Sequence, residues 1–357
     1  MKGRAARPIA ALGDVRAAVM RFCDEQLSGQ LDTRPVAEVH EKVLACVRSV
    51  DPDMTPYIFG STAVLGVHAP ASDVDFVCLS PSEVQDGKGA DSVSEVAKGL
   101  QSDFLFRLSE AVKREHYLWD IDLVRRTRVP VMRVKGGLGR DGISFDVTAS
   151  RRNGVRNSAL LRAYFTQCPE ARWLSMLVKQ WSKRTGLNAS IEGGCVTSYG
   201  WNIMVAYYLL QRRLVTLVPV ESCDVASIAP MPPYMPLAPP RQDGQALAEM
   251  LMDFLGYYLD EFQPDTEVVS LSRAPGETTK ELLSWTKQAE DMARIRGEKI
   301  HFRWCIEDPY EYDLNVGRHV TPFKLMLLRK HLERAQETAL LLLTAPPSST
   351  AATAPLS

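Results

Sequence analysis

The sequence predicts an α/β chain, of the α+β kind, in two domains: a mixed sheet with flanking helices, and a second, mostly helical domain. Three observations carry that prediction. Residues 57–66, YIFGSTAVLG, read as an apolar strand that enters a tight turn at Gly60-Ser61 and leaves as a helix, and residues 72–79, SDVDFVCL, alternate as a second strand. From about Asn157 the texture changes to long runs with apolar residues at three- and four-residue steps. At 357 residues the chain is long enough for two cores.

Taken in order, residues 14–27 (Val15, Val19, Phe22) and 36–50 (Val39, Val43, Leu44, Val47) read as amphipathic helices. Pro52 closes the second by disfavouring helix in the residue before it. After the Gly60 turn and the alternating strand, residues 81–91 form a polar loop. Ser92 and Glu95 then make a capping box for a helix whose stripe is Val93, Val96, Leu100, Phe104, Leu108 and Val112. Residues 117–124, 129–134 and 143–148 read as strands, with a glycine turn at 136–139. Helices are expected at 159–168, 171–185, 198–214, 246–262, 285–296 and 321–343, with a proline-rich surface loop at 218–244 and a disordered tail at 344–357.

Composition narrows the function. The chain is 45% hydrophobic and 24% charged, ordinary for a folded protein, and its net charge of −1 means that any nucleic acid must be held by local clusters. Seven scattered cysteines without a C-x-x-C pair argue for free thiols, and against both a disulfide framework and a zinc site. No apolar run is long enough for a bilayer, so a soluble protein with no membrane partner is expected. Lys2, Arg4 and Arg7 fit a frayed tail better than an import sequence, so the expected compartment is cytoplasmic, with mitochondrial as the alternative.

The chemistry-bearing residues are acidic. Strand parity puts Asp73 and Asp75 on one face, opposite Val74, Phe76 and Cys78, and separates Asp146 with Ser144 and Thr148 from Ile143, Phe145 and Val147. If the two strands are neighbours, three carboxylates converge. Two unit charges about 4 Å apart cost roughly 4 kcal/mol at an effective dielectric of 20. Such a cluster is tolerable when divalent cations neutralise it, and Mg2+, with Mn2+ as a possible substitute, prefers carboxylate and phosphate oxygens. Asp120-Ile121-Asp122 repeats the D-x-D spacing, but only Asp73 and Asp75 follow a Gly-Ser turn at short range.

Phe59-Gly60-Ser61, Gly66, Ser72-Asp73-Val74-Asp75 and Asp146 in Ser144-Phe145-Asp146-Val147 together resemble the signature of the DNA polymerase beta-like nucleotidyltransferases. Within that superfamily the later motifs resemble the RNA terminal uridylyltransferases of the minimal trypanosomatid type, over roughly residues 14–340. The resemblance implies a catalytic domain at 51–150 and a discontinuous, poly(A) polymerase-associated-like base-binding domain at 1–50 and 151–343, with UTP in the cleft between them. It implies that Asp73, Asp75 and Asp146 hold the metals and that Gly60, Ser61 and Ser72 lie at the nucleotide. Asn157 would reach the ribose 2'-hydroxyl beside Ser158; Lys179 and Lys183 would bind the triphosphate; Ser198 would touch phosphate, with Tyr199 stacking on uracil. Asp308 and Glu311 would hold a water that accepts the uracil N3-H.

For the 3' end of a single-stranded RNA the candidates are Arg128 and Arg133 in the basic stretch 125–135, with Arg318 implied by the resemblance. The expected activity is template-independent transfer of UMP from UTP to the RNA 3'-hydroxyl by a monomer. The alternatives are a poly(A) polymerase-like enzyme using ATP, and an inactive RNA-binding scaffold of the same fold. Acceptor groups at Asp308 and Glu311 suit the uracil N3-H better than the unprotonated N1 of adenine.

Overall fold

The computed structural model describes residues 10–28, 34–69, 72–85, 95–116, 119–125, 129–135, 142–189, 193–282, 302–311 and 314–337, together with 287, 291, 294 and 295. Its strands are β1 (Thr55–Phe59), β2 (Val74–Leu79), β3 (Asp120–Val124), β4 (Val131–Lys135) and β5 (Phe145–Ala149). Its helices are α1 (Leu12–Ser28), α2 (Arg34–Val50), α3 (Gly60–Leu65), α4 (Pro81–Gln85), α5 (Glu95–Glu115), α6 (Asn153–Gln167), α7 (Ala171–Arg184), α8 (Ser198–Gln211), α9 (Gln245–Gly256) and α10 (Pro322–Glu337).

The strands form one mixed sheet in the order β1-β2-β5-β4-β3, in which β2 and β5 run parallel and the other neighbours antiparallel. Alternation decides what each face does. Val74, Phe76, Cys78, Met132, Val134, Phe145 and Val147 point to one side and pack on Val39, Val43 and Val47 of α2 and on Phe104, Leu105, Leu108 and Val112 of α5. Burying each such side chain contributes about 1.5–3 kcal/mol. On the other side Tyr57, Val77 and Leu79 are covered by Val155 of α6 and by Val225. Asp75 and Asp146, nearer the starts of β2 and β5, stay only half-buried.

Leu100, expected in the stripe of α5, is 70% exposed, while Gln101 is buried. At 100° per residue it lies about 97° from the centre of the face defined by residues 101, 104, 105, 108 and 112. The glycine turn at 136–139 and the capping Ser92 lie outside the described residues, as does the tail at 344–357.

The chain divides into two compact units, one of residues 26–163 with 218–238, the other of 1–25, 164–217 and 239–357. This corrects two expected boundaries. The expected helical domain takes in both N-terminal helices, yet the valines of α2 belong to the sheet's core, and of the two only α1 falls mostly with the helical unit. The sheet unit also extends past residue 150 into α6, which begins at Asn153, six residues before the expected start, because Val155 is needed over β2.

The proline-rich stretch is the expected surface loop, with only short 3-10 turns, and it is tied to β1 and to Gly66. Its Pro230 carbonyl accepts the Ile58 N–H of edge strand β1 at 2.8 Å, and Met235 N–H donates to Gly66 at 2.9 Å. In the helical unit α8 is buried on all sides from Gly200 to Leu210, as expected of a central helix. Tyr208 of α8 packs edge to face on Phe254, which with Tyr257 and Phe262 packs edge to face on Tyr258, and Trp304 lies tilted against Tyr258 and Phe262.

Candidate active site

Register assembles the carboxylates. Across the parallel pair, Asp75 of β2 stands opposite Asp146 of β5, and the neighbouring strands extend the row with Phe59 opposite Asp75, Arg133 opposite Asp146 and Asp122 opposite Arg133. Neighbouring strands lie about 4.8 Å apart, so Asp75 and Asp146 present two carboxylates side by side. Asp73 sits one residue before β2, exposed to solvent. Burial raises the Asp146 carboxyl above its ordinary value and the Asp73 charge adds to that, while Arg133, its Nε 3.8 Å from Asp146 Oδ2, pulls it back. The second D-x-D is thereby explained: Asp122 faces Arg133 and belongs to the same row without joining the acidic pair.

Among the described residues no three His, Cys, Asp or Glu side chains, Asp73, Asp75 and Asp146 included, come together as a group that could hold a metal ion. An open set of hard carboxylate oxygens, too close together to be comfortable without counter-charge, nevertheless fits a divalent cation whose remaining ligands come from elsewhere. The rise of the Asp146 carboxyl is mainly the effect of its burial, to which the Asp73 charge makes a smaller addition.

The Gly60-Ser61 turn is built against these carboxylates. Gly60 has φ +70°, and a Cβ on it would overlap the Asp75 carboxylate, so only glycine lets that side chain lie there. Ser158 of α6 accepts the Gly60 N–H at 2.9 Å and donates to the Gly154 carbonyl at 2.8 Å. One turn later on α6, Arg162 forks to the Ala63 carbonyl at 2.9 Å and the Pro233 carbonyl at 2.7 Å. Ser158 thus holds the first residue of the short helix α3 and Arg162 its fourth. The Gly60 amide is committed to Ser158. Asn157 is buried beside Ser158, and Ser72 is half-buried ahead of β2. Sequence reasoning missed Arg162; its i, i+4 spacing from Ser158 was the available signal.

The helical unit brings together a second group. Lys179 and Lys183 lie one turn apart on α7, both half-buried. Asn188 donates at 3.1 Å both to Ser182 near the end of α7 and to Ser198 at the start of α8. That connection sets Tyr199, whose hydroxyl donates to Asp308 Oδ2 at 3.0 Å. Asp308 Oδ1 accepts the backbone N–H of Tyr310 at 2.9 Å and of Glu311 at 3.0 Å, an Asx turn in E-D-P-Y-E. Asp308 is 3% exposed, and burial raises its carboxyl above the ordinary value. Burial and the neighbouring Asp308 charge together hold the Tyr199 phenol well above its usual range. Arg318 is half-buried and donates to the Asn315 carbonyl at 3.2 Å, whereas Arg128 lies outside the described residues.

A carboxylate pair in a sheet, backed by a gripped Gly-Ser turn, is the arrangement expected for phosphoryl-transfer chemistry. The family model "Poly(A) RNA polymerase, mitochondrial-like, central palm domain" matches residues 16–166, and "Cid1 family poly A polymerase" matches residues 246–314. Terminal uridylyltransferase 4 of Trypanosoma brucei brucei is 57% identical over 315 residues, covering 88% of this chain and 93% of the relative. The chain belongs to the terminal uridylyltransferase family. A solved structure of the T. brucei uridylyltransferase with bound UTP and UMP is 52% identical, with a TM-score of 0.86 over 93% of this chain and 100% of that one. Another with bound GTP is 54% identical, with a TM-score of 0.88 over 94% and 100%. The expected nucleotidyltransferase fold, a mixed sheet with flanking helices and a helical second part, is borne out by this likeness.

Proposed function

We infer that the chain adds uridylate to the 3' end of single-stranded RNA. The oxygen of the RNA 3'-hydroxyl forms a bond to the α-phosphorus of UTP as the bond to the β-phosphate oxygen breaks, and pyrophosphate leaves with UMP joined to the RNA. The observation that carries this reading is the pairing of Asp75 with Asp146 across β2 and β5, in a chain so similar to a uridylyltransferase.

In this reading Asp73, Asp75 and Asp146 hold magnesium, or manganese in its place, which when bound supplies charge neutralisation at the phosphates and lowers the pKa of the attacking hydroxyl. Asp146 is the carboxylate nearest the RNA hydroxyl and takes part in removing its proton. Gly60 keeps Asp75 in place by leaving it room, and the Ser61 amide faces a phosphate. Lys179 and Lys183 offset the triphosphate charge, with Ser198 beside them. Asn157 selects the ribose 2'-hydroxyl, next to Ser158, and Ser72 supports the turn. Arg133 and Arg318 meet the RNA end, with Arg128 as a third basic contact.

Base choice is assigned to Asp308 and Glu311. Tyr199 offers a ring for stacking, which tolerates any base and contributes about 1–3 kcal/mol. The T. brucei relative has been solved with GTP as well as with UTP, so occupancy does not by itself select uracil. A carboxylate can accept the uracil N3-H, directly or through water, where cytosine N3 and adenine N1 carry no proton. The family descriptions naming poly(A) polymerases favour ATP as a second reading, and the acceptor character of Asp308 weighs against it. The test is extension of a labelled single-stranded RNA with Mg2+ and each NTP separately. Extension by UTP, lost in Asp146→Ala, is expected; equal extension by ATP would overturn the uridine assignment.

A further inference from the structure

Glu307, the residue before Asp308, is 4% exposed and has no part in the chemistry above. Its Oε2 accepts the hydroxyls of Ser270 at 2.5 Å and of Ser272 at 2.8 Å, and Ser270 is itself fully buried. We propose that Glu307, locked by Ser270 and Ser272, is a positioning residue that fixes the peptide from which Asp308 reads the base. The proposal rests on the base-reading role of Asp308.

Residues 305–308 run extended. Val269 donates to the Cys305 carbonyl at 2.9 Å, Glu307 donates to Val269 at 3.0 Å, Val316 donates to Ile306 at 2.8 Å, and Asp308 donates to Leu314 at 3.3 Å. Asn315 Oδ1 adds a bond from the Ile306 N–H at 3.1 Å. These bonds set the register of the segment. In an extended chain successive side chains point to opposite sides, so Glu307 and Asp308 are the two ends of one lever. A rotation of the strand about its axis that is small at the backbone swings Asp308 Oδ2 away from Tyr199, 3.0 Å distant. Short bonds from hydroxyls to a buried carboxylate on the far side oppose that rotation, because hydrogen bonds to a charged acceptor are about twice as strong as neutral ones. Packing alone would be served by an apolar residue here; a buried carboxylate is costly unless its bonds are kept, which makes the lock stiff.

The test uses the full-length protein and compares kcat and KM for UTP and CTP on one RNA in four proteins: wild type, Ser270→Ala with Ser272→Ala, Glu307→Gln, and Asp308→Ala. The double serine variant is expected to lose about tenfold of its UTP-over-CTP preference, the scale set by one hydrogen bond, through a raised KM for UTP with kcat within about twofold. Glu307→Gln, whose amide oxygen can still accept both hydroxyls, is expected to keep most of the preference. A folded double variant with the wild-type preference overturns the proposal. Should the double variant not fold, Ser272→Ala alone, at a half-buried position, is judged by the same ratio. Asp308→Ala separates the two ideas. If it too keeps the preference, the base-reading role has failed; if it loses the preference while the serine variants keep it, only the positioning role has failed.

Discussion

Arg133 faces Asp146 across β4 and β5, its Nε 3.8 Å from the carboxylate, so the buried end of the acidic row carries its own counter-ion. A metal entering beside Asp146 must share that carboxylate with the guanidinium. In Arg133→Gln the half-saturating Mg2+ concentration should fall about two- to fivefold, the range of roughly 0.5–1 kcal/mol for a pair this exposed. The KM for RNA should rise in the same variant. A magnesium titration of extension rate reads both, and a higher magnesium requirement would contradict the competition.

Gly60→Ala places a methyl group where the Asp75 carboxylate lies and forces a side chain onto φ +70°. The backbone cost is about 1–2 kcal/mol. Activity should fall much further than stability, since Asp75 must move. Comparing kcat with the melting temperature checks this, and near-normal kcat would show that Asp75 has no fixed position to lose.

Arg162→Ala frees the Ala63 carbonyl of α3 while leaving the Ser158 bond to Gly60 intact. The KM for UTP should rise about tenfold, the cost of an untethered charge-assisted bond. Arg162→Lys should recover little of the loss, because a lysine cannot fork to Ala63 and Pro233 together. Steady-state kinetics on both variants distinguish this from a general loss of fold, in which kcat would fall as well.

How legible all this was depends on how local each cause is. Parity put Asp73 and Asp75 on one face of β2 and Asp146 on one face of β5, since an alternating strand can put its carboxylates on only one face; that the two strands are neighbours is shown by the fold. The Asp308 Asx turn is equally local, its partners two and three residues away, although the resemblance there points to base recognition and not to the turn. What escaped depends on distant contacts. No pattern in residues 36–50 says which core their valines enter, and α2 proved to serve the sheet. Arg162 holds a carbonyl 99 residues away, and Ser270 a carboxylate 37 residues away, relations that only the folded chain reveals.

Asp308 supplies a pH test. Burial raises its carboxyl, so the folded state binds that proton more tightly than the unfolded chain, and the group's contribution to stability falls as pH rises from about 4 through the raised value. Asp308→Asn removes this titration. The melting temperature of the variant minus that of the wild type should therefore grow with pH over that interval, and a difference independent of pH would mean that Asp308 is not desolvated.

The central claim is that this family member moves uridylate because Asp308 accepts a proton that only uracil, or a base like it, can offer. Incubating the protein with Mg2+, a single-stranded RNA and an equimolar mixture of the four NTPs, then sequencing the added tails, tests it most directly. Tails composed almost wholly of uridine are predicted, with cytidine rising in Asp308→Ala; wild-type tails containing adenosine or cytidine as often as uridine would contradict the claim.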